Sequence, residues 1–308
     1  MSKAKAYLLA ARPKTLPAAV CPVIAGSALA WRLSGSFSWL LLWATLLSTI
    51  AIQVATNYFN DAVDAAKGAD TEARLGPKRA TASGLISPRA MLTAGAIAGL
   101  IAAALSAPLI VERGWPIVGI GVVSLFFSYG YTGGPWPLAY RGLGEVFVML
   151  FFGFVAVTGT VFVQTGEWRA EALLLGAQIG ALSTVLIAIN NLRDIEEDTR
   201  SHKRTLAVRF GKTGGRISVT LWCLLPYAAA CLWGNPGLLP EHILSTGHGL
   251  RGALCQFGLL LLPLALFIAL QIWRREPSPA YNKYLAFSAL HLLLWTALFT
   301  YACLHYSA

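Results

Sequence analysis

Charge is scarce in this sequence. Only 12% of its 308 residues are Asp, Glu, Lys or Arg, five of them aspartates, while 56% are hydrophobic. Together with a mean hydropathy of +0.61, that balance excludes an ordinary soluble domain, in which about a quarter of the residues are charged. Cysteine is scarce too. Cys21, Cys223, Cys231, Cys255 and Cys303 are odd in number and all fall in apolar stretches, which excludes a disulfide framework and predicts small packed hydrophobes. The start also lacks the long apolar run of a leader, because Arg12 and Lys14 interrupt the short one after Lys5; no cleaved signal peptide is expected.

Long apolar runs are what the chain does have. A membrane-crossing helix needs roughly 17 to 25 apolar residues, and such stretches occur near 15–31, 37–59, 90–111, 115–131, 146–163, 172–192, 217–234, 252–273 and 284–304. The expectation is an all-α integral membrane protein of about nine spans. Threading nine spans in order places 20 of the 24 basic residues on one side, with Arg32, Arg113, Arg169 and Arg251 alone on the other. By the positive-inside rule the N-terminus and the charged loops are cytoplasmic. The net charge of +10 thus belongs to one membrane face, where anionic lipid or a phosphorylated substrate is favoured and nucleic acid is not an expected partner.

The few aspartates are not scattered. Asp61, Asp64 and Asp70 follow the second apolar stretch in "NYFNDAVDAAKGAD", and Asp194 and Asp198 follow the sixth in "NNLRDIEED". Residues three and four apart share a helix face. Asn57, Asn60, Asp61 and Asp64 fall at i, i+3, i+4 and i+7, and Asn191, Asp194 and Asp198 at i, i+3 and i+7, with Asn190 four before Asp194. Each helix end therefore offers a stripe of carboxylates flanked by carboxamides, and hard carboxylate oxygens suit Mg²⁺ shared with substrate phosphates, with Mn²⁺ as an alternative. Bases stand beside both stripes: Lys67, Arg74, Lys78 and Arg79 after the first, Arg193, Lys203, Arg204 and Arg209 around the second. Acids for a metal and bases for phosphate oxygens are together what a metal-bridged diphosphate needs. Helix caps and lipid anchors are the competing explanation of any one cluster; two clusters holding every aspartate weigh against it.

These two strings resemble the acidic signatures of the UbiA superfamily of intramembrane aromatic prenyltransferases. "ARPKTLPAAVCPVIAG", "DAAKGADTEARLGPKRATASGLIS", "YTGGPWPLAYRGLGEVFVMLFFGFVAVTGT" and "NNLRDIEEDTRSHKRTLAVRFG" resemble the family's menaquinone-pathway branch in particular. The resemblance covers nearly the whole chain and implies one domain over 1–308, with about nine helices around a central chamber capped by cytoplasmic helical loops, in a bacterial inner membrane. It implies transfer from a long-chain isoprenyl diphosphate to 1,4-dihydroxy-2-naphthoate with loss of CO₂ and diphosphate, or to another aromatic acceptor such as 4-hydroxybenzoate. It also implies Asp61, Asp64, Asp194 and Asp198 as catalytic metal ligands, with Asn57, Asn60, Asn190 and Asn191 in support. The family's third acid falls on Gly68 here, and Asp70 is the nearest substitute. For the diphosphate the candidates are Lys67, Arg79, Arg141 and Lys203. Lys14 is a candidate for the acceptor carboxylate, with snorkelling as its alternative, and Tyr131 for shielding an allylic cation. His291, mid-span, is expected to hydrogen-bond a neighbouring helix.

Two other classes fit less well. A membrane transporter would carry ionisable groups near the midplane, whereas these acids stop at the rim of the spans. A CDP-alcohol phosphotransferase would hold its aspartates in one contiguous block rather than two that are 133 residues apart.

Overall fold

The structure, a computed structural model, describes residues 2–69, 75–77, 79–234 and 250–305, with the backbone alone for 250–257. Among them the elements are helices and the turns that join them. In order they are α1 (Lys3–Ala10), α2 (Pro17–Ser34), α3 (Trp39–Ala66), α4 (Pro88–Leu105), α5 (Ala107–Arg113), α6 (Trp115–Gly130), α7 (Gly144–Val148), α8 (Ala156–Thr165), α9 (Ala170–Arg193), α10 (Ile195–Arg200), α11 (Leu206–Ala230), α12 (Leu250–Arg274) and α13 (Tyr281–His305). Their ends carry the expected chemistry. Ser38, Ser87 and Thr205 each accept a backbone N–H of the helix they start, Pro17 and Pro88 open helices where a missing N–H costs nothing, and Gly35 and Gly166 end α2 and α8 in the left-handed conformation.

The protein is multi-pass, but a count of nine spans does not follow from helix length. Six helical segments are long and apolar enough to cross a membrane, and a seventh is a pair bent by 50°, Lys3–Thr15 with Pro17–Ser34. Trp115–Gly130 and Gly258–Arg274 are apolar but shorter. The bend has a local cause: Arg12 has positive φ (52°) and is followed by Pro13, so the chain cannot stay helical there. Boundaries differ from hydropathy where a helix outlasts its apolar stretch. α3 continues seven residues beyond position 59 and carries the whole first acidic stripe on regular helix. α11 begins at Leu206 rather than near 217, with a break at Gly211 (φ 69°, ψ −176°).

α9 is the central helix. In its most apolar window 78% of the residues are buried, against 22% in the segment formed by α4 and α5, so the first is wrapped by protein and the second faces lipid. Leu175, Ile179 and Leu182 of α9 join α2, α8 and α13 in one apolar core, and Ile189 and Leu192 join α11, α12 and α13 in another. Between α7 and α8 the chain is a π-helix, Met149–Val155. There the backbones of two segments come into contact: a Cβ on Gly153 would lie 2.4 Å from the Gly176 carbonyl oxygen, and one on Gly180 would lie 2.8 Å from the Gly153 Cα. His291 meets the Tyr227 hydroxyl across helices at 2.8 Å, as expected. Cys21, Cys223 and Cys303 are buried and free, whereas Cys231 is exposed at the end of α11.

α3, α6 and the α7 to α8 segment enclose a cavity of about 150 Å³, lined among others by Thr45, Gln53, Ser128, Phe147, Phe151 and Thr160. Its lining reaches Thr56 of α3 and Ser128 of α6, near the C-terminal ends of both helices.

Candidate active site

The two acidic helix ends meet, and Tyr140 stands between them. Its hydroxyl donates to Asp64 Oδ1 at 2.8 Å. Lys67 Nζ lies 4.0 Å from the centroid of its ring and Lys203 Nζ 5.7 Å. Lys203 is also 3.7 Å from Asp198 Oδ1, and Lys203, Arg79 and Arg12 all lie within electrostatic reach of Asp64. Asp64 from α3 and Asp198 from α10, 5% and 6% exposed, thus face a common ammonium. Local folding explains the pairing: the backbone N–H of Lys203 closes on the Asp198 carbonyl, and that of Arg204 on the Tyr140 carbonyl, which ties the second acidic turn to the loop after α6.

Asp61 and Asp194, expected beside them as metal ligands, have other partners. Asp61 is 1% exposed, and its two oxygens accept the backbone N–H groups of Ala80 (3.3 Å) and Thr81 (2.8 Å). It therefore anchors the turn that carries Arg79. Both oxygens of Asp194 take a bidentate clamp from Arg193 at 2.7 Å each, and Arg193 reaches on to Asn282 Oδ1. Asn282 in turn donates to the Leu75 carbonyl, so the first loop, the second motif and the start of α13 are held together. Asp70, Arg74 and Lys78 lie outside the described residues.

The carboxamides position the frame. Asn57 donates to the Ala11 carbonyl at 2.9 Å and so fixes the bend that presents Arg12. Asn60 Oδ1 accepts the Thr132 hydroxyl, and Asn191 Nδ2 donates to Glu145 Oε1 at 3.1 Å. Asn190 is half-buried one turn above Asp194. Among the cations, Lys67 donates to the Thr132 carbonyl at 2.7 Å; burial pushes its pKa below the ordinary lysine value, with Asp64 opposing that shift and Lys203 adding to it. Arg141 is not brought to the acids. Its guanidinium stacks 3.9 Å over Trp136 and its carbonyl accepts Arg209. Lys14 is exposed on the turn after Arg12, and Arg12 takes the inward place. Tyr131 is buried, with its ring 5.2 Å from that of Phe147 at the cavity wall.

Sequence reasoning missed Tyr140, Arg12 and Glu145. Each had a faint signal: Tyr140 adjoins the single base of its loop, Arg12 precedes a proline, and Glu145 is the one acid between Glu112 and Glu167.

The residues present fit a magnesium ion. Among the described residues no three Asp, Glu, His or Cys side chains converge to cage a metal alone. Mg²⁺ does not ask for such a cage, since it is bound by one or two carboxylates together with substrate phosphates and water. Asp64 and Asp198 provide that pair, and the Lys203 ammonium beside both shows that the gap favours a cation.

Comparison with known proteins identifies the family. The profile of the UbiA prenyltransferase family matches residues 19–290. The chain is 38% identical over 249 residues to the 1,4-dihydroxy-2-naphthoate octaprenyltransferase of Haemophilus influenzae, covering 76% of this chain and 80% of that protein. It is 36% identical over 296 residues to the enzyme of the same name from Mycobacterium leprae, covering 94% and 92%. In fold it is similar to a UbiA homolog from Archaeoglobus fulgidus solved bound to DMAPP and Mg²⁺, with a TM-score of 0.65 at 15% identity over 96% of this chain and 99% of that one. On the family match and the relatives above 30% identity, this chain belongs to the UbiA prenyltransferase family.

Proposed function

We propose that the protein transfers a polyprenyl group from a long-chain isoprenyl diphosphate to 1,4-dihydroxy-2-naphthoate, releasing diphosphate and CO₂ and giving demethylmenaquinol. The observation that carries this reading is the pairing of Asp64 and Asp198 across Lys203, with Asp64 on the helix that also lines an apolar cavity. The naphthoate acceptor rests on relatives of that name that span most of both chains. The match over 19–290 supports reading 1–308 as one prenyltransferase domain.

Each part of the site has a task in such a reaction. Asp64 and Asp198 would hold Mg²⁺, which when bound neutralises diphosphate oxygens and makes diphosphate a better leaving group. Lys67, Lys203, Arg79 and Arg12 ring the same place and donate to the remaining oxygens, where charge builds as the C–O bond breaks. In this reading Asp61 holds the turn after Arg79 and Asp194, clamped by Arg193, fixes the end of α9. The prenyl tail follows the apolar cavity, whose Phe147 and Phe151 rings, with Tyr131 above them, exclude water from an allylic cation. The ends of α3 and α9 are cytoplasmic in this reading, so the diphosphate arrives from water and the tail from lipid.

Prenylation by the purified protein in detergent tests it, with Mg²⁺ present or chelated. Asp64→Asn and Asp198→Asn are expected to cut turnover at least 100-fold, as removal of a metal-holding group does, with naphthoate preferred over 4-hydroxybenzoate. Product from 4-hydroxybenzoate alone would replace the acceptor, and full activity in chelator would overturn the metal site.

A further inference from the structure

The diphosphate chemistry leaves one buried acid unused. Glu145, on the first turn of α7, is 2% exposed; its Oε1 accepts Asn191 and its Oε2 is buried without any hydrogen-bond partner. An unsatisfied buried acceptor costs roughly 1 to 3 kcal/mol, and more when charged, so one that persists in a packed protein calls for an explanation. The neighbouring packing supplies part of it. Gly144 carries no Cβ, and one built there would lie 2.9 Å from the Tyr131 hydroxyl, so the glycine lets that hydroxyl come up beside α7. Tyr131 packs on Phe147 of the cavity wall and is within electrostatic reach of Glu145, Asp64 and Asp198. Tyr131 thus links the acid that carries the orphaned oxygen to the acidic rim and to the cavity wall. An aromatic acceptor must come between that rim and the cavity to meet the first carbon of a tail whose diphosphate is held at the rim.

We propose that Glu145 is a catalytic base toward the acceptor, its Oε2 accepting the proton of the ring hydroxyl adjacent to the carboxylate. This rests on the naphthoate reading above. The allylic C–O bond breaks and its electron pair leaves with diphosphate. The ring carbon bearing the carboxylate bonds to the allylic carbon, the adjacent O–H pair becomes the C=O bond, and the proton passes to Glu145. The product of that step is a β-keto carboxylate. Its C–CO₂ bond then breaks, the released pair restores the aromatic ring, and the ring oxygen takes its proton back from Glu145. The proton is borrowed and returned, so no other base, acid or oxidant is consumed. Asn191, one turn before Asp194, holds the other carboxylate oxygen and so fixes this acid relative to the second motif.

The experiment compares wild type, Glu145→Gln and Glu145→Asp, with Mg²⁺ and a long-chain prenyl diphosphate. The acceptors are 1,4-dihydroxy-2-naphthoate and its 1-O-methyl and 4-O-methyl ethers. A general base contributes about 10²- to 10⁴-fold, so Glu145→Gln is expected to lower kcat at least 100-fold with KM for the prenyl diphosphate within about 2-fold. Wild type should be slowed similarly by the 1-O-methyl ether, which lacks the proton, and much less by the 4-O-methyl ether. The two losses should not add: Glu145→Gln should turn over the 1-O-methyl ether no more slowly than wild type does. Wild-type rates in Glu145→Gln, or equal turnover of the two ethers by wild type, would overturn the proposal. If Glu145→Gln fails to fold, seen as no thermal shift with Mg²⁺ and diphosphate, the ether comparison on wild type still decides. Absence of any product from wild type and naphthoate would sink the naphthoate reading, a separate result.

Discussion

At Lys67 the site's electrostatics become measurable. Its ammonium lies against the Tyr140 ring and donates to the Thr132 carbonyl, and burial depresses its pKa, with Lys203 assisting and Asp64 opposing. The protonated form is the one that binds diphosphate oxygens. As pH rises through a depressed pKa the charge is lost early, so kcat/KM for the prenyl diphosphate should fall on the alkaline side before the ordinary lysine value of about 10.4. Arginine stays charged far above that range. In Lys67→Arg the alkaline limb should therefore move up, even if the plateau drops through poorer fit; an unmoved limb would assign it to another group. How legible this residue scale was depended on spacing. Helical spacing singled out all four acids; the first stripe rides regular helix, whereas the second is broken at Asp194, which ends α9 and precedes α10. It could not foresee that Asp61 takes loop N–H groups and Asp194 a clamp from Arg193, contacts that no helical period encodes. Tyr140 was illegible for the same reason, since its place depends on how the loop after α6 folds against the turn at Lys203.

The segment from Gly144 to Thr165 joins the site to the cavity at the scale of an element. Hydropathy found it as one span, near 146–163, but gave no sign of the π-helix at Met149–Val155, because a one-residue change in hydrogen-bond register leaves the apolar pattern intact. Two glycines of α9, four apart, take the Gly153 backbone at contact distance, a packing that in membranes replaces the hydrophobic drive. Here a side chain meets backbone on the other helix, which cannot rotate away. Gly153→Val should thus destabilise the protein by about 1 to 3 kcal/mol or more, the usual cost of overpacking, and shift the preceding α7, which carries Glu145 and Phe147. Gly119→Val is the control, since a Cβ there meets nothing within 4 Å. A thermal unfolding series in detergent should show a lower midpoint for Gly153→Val and little change for Gly119→Val; equal midpoints would mean that the close approach carries no stability.

For the whole molecule, the question is why so apolar a chain concentrates its charge at one end. Among the described residues the charged loops are linked to one another within that end: Arg193 and Leu75 to Asn282, Arg204 to Tyr140, and Lys212 and Arg216 to Glu276. At the other end Gln164 ties Ser38 to α8 and Arg113 reaches the Val163 carbonyl, a few polar contacts without a basic cluster. Positive charge resists translocation, so the proposed orientation puts the basic end in the cytoplasm, where the same charge would draw in an anionic diphosphate while its tail remains in lipid. Orientation and substrate capture then share one physical origin. Impermeant maleimide labelling separates the two faces. Ser83 and Ser36 are exposed at opposite ends, and a background lacking the exposed Cys231, and Cys255 as well, confines labelling to the introduced cysteines. On intact spheroplasts Ser36→Cys should label at once, and Ser83→Cys only after the membrane is opened. The reverse pattern would place the acidic motifs outside the cell, away from a cytosolic supply of diphosphate, and would overturn the orientation on which capture from the cytoplasm depends.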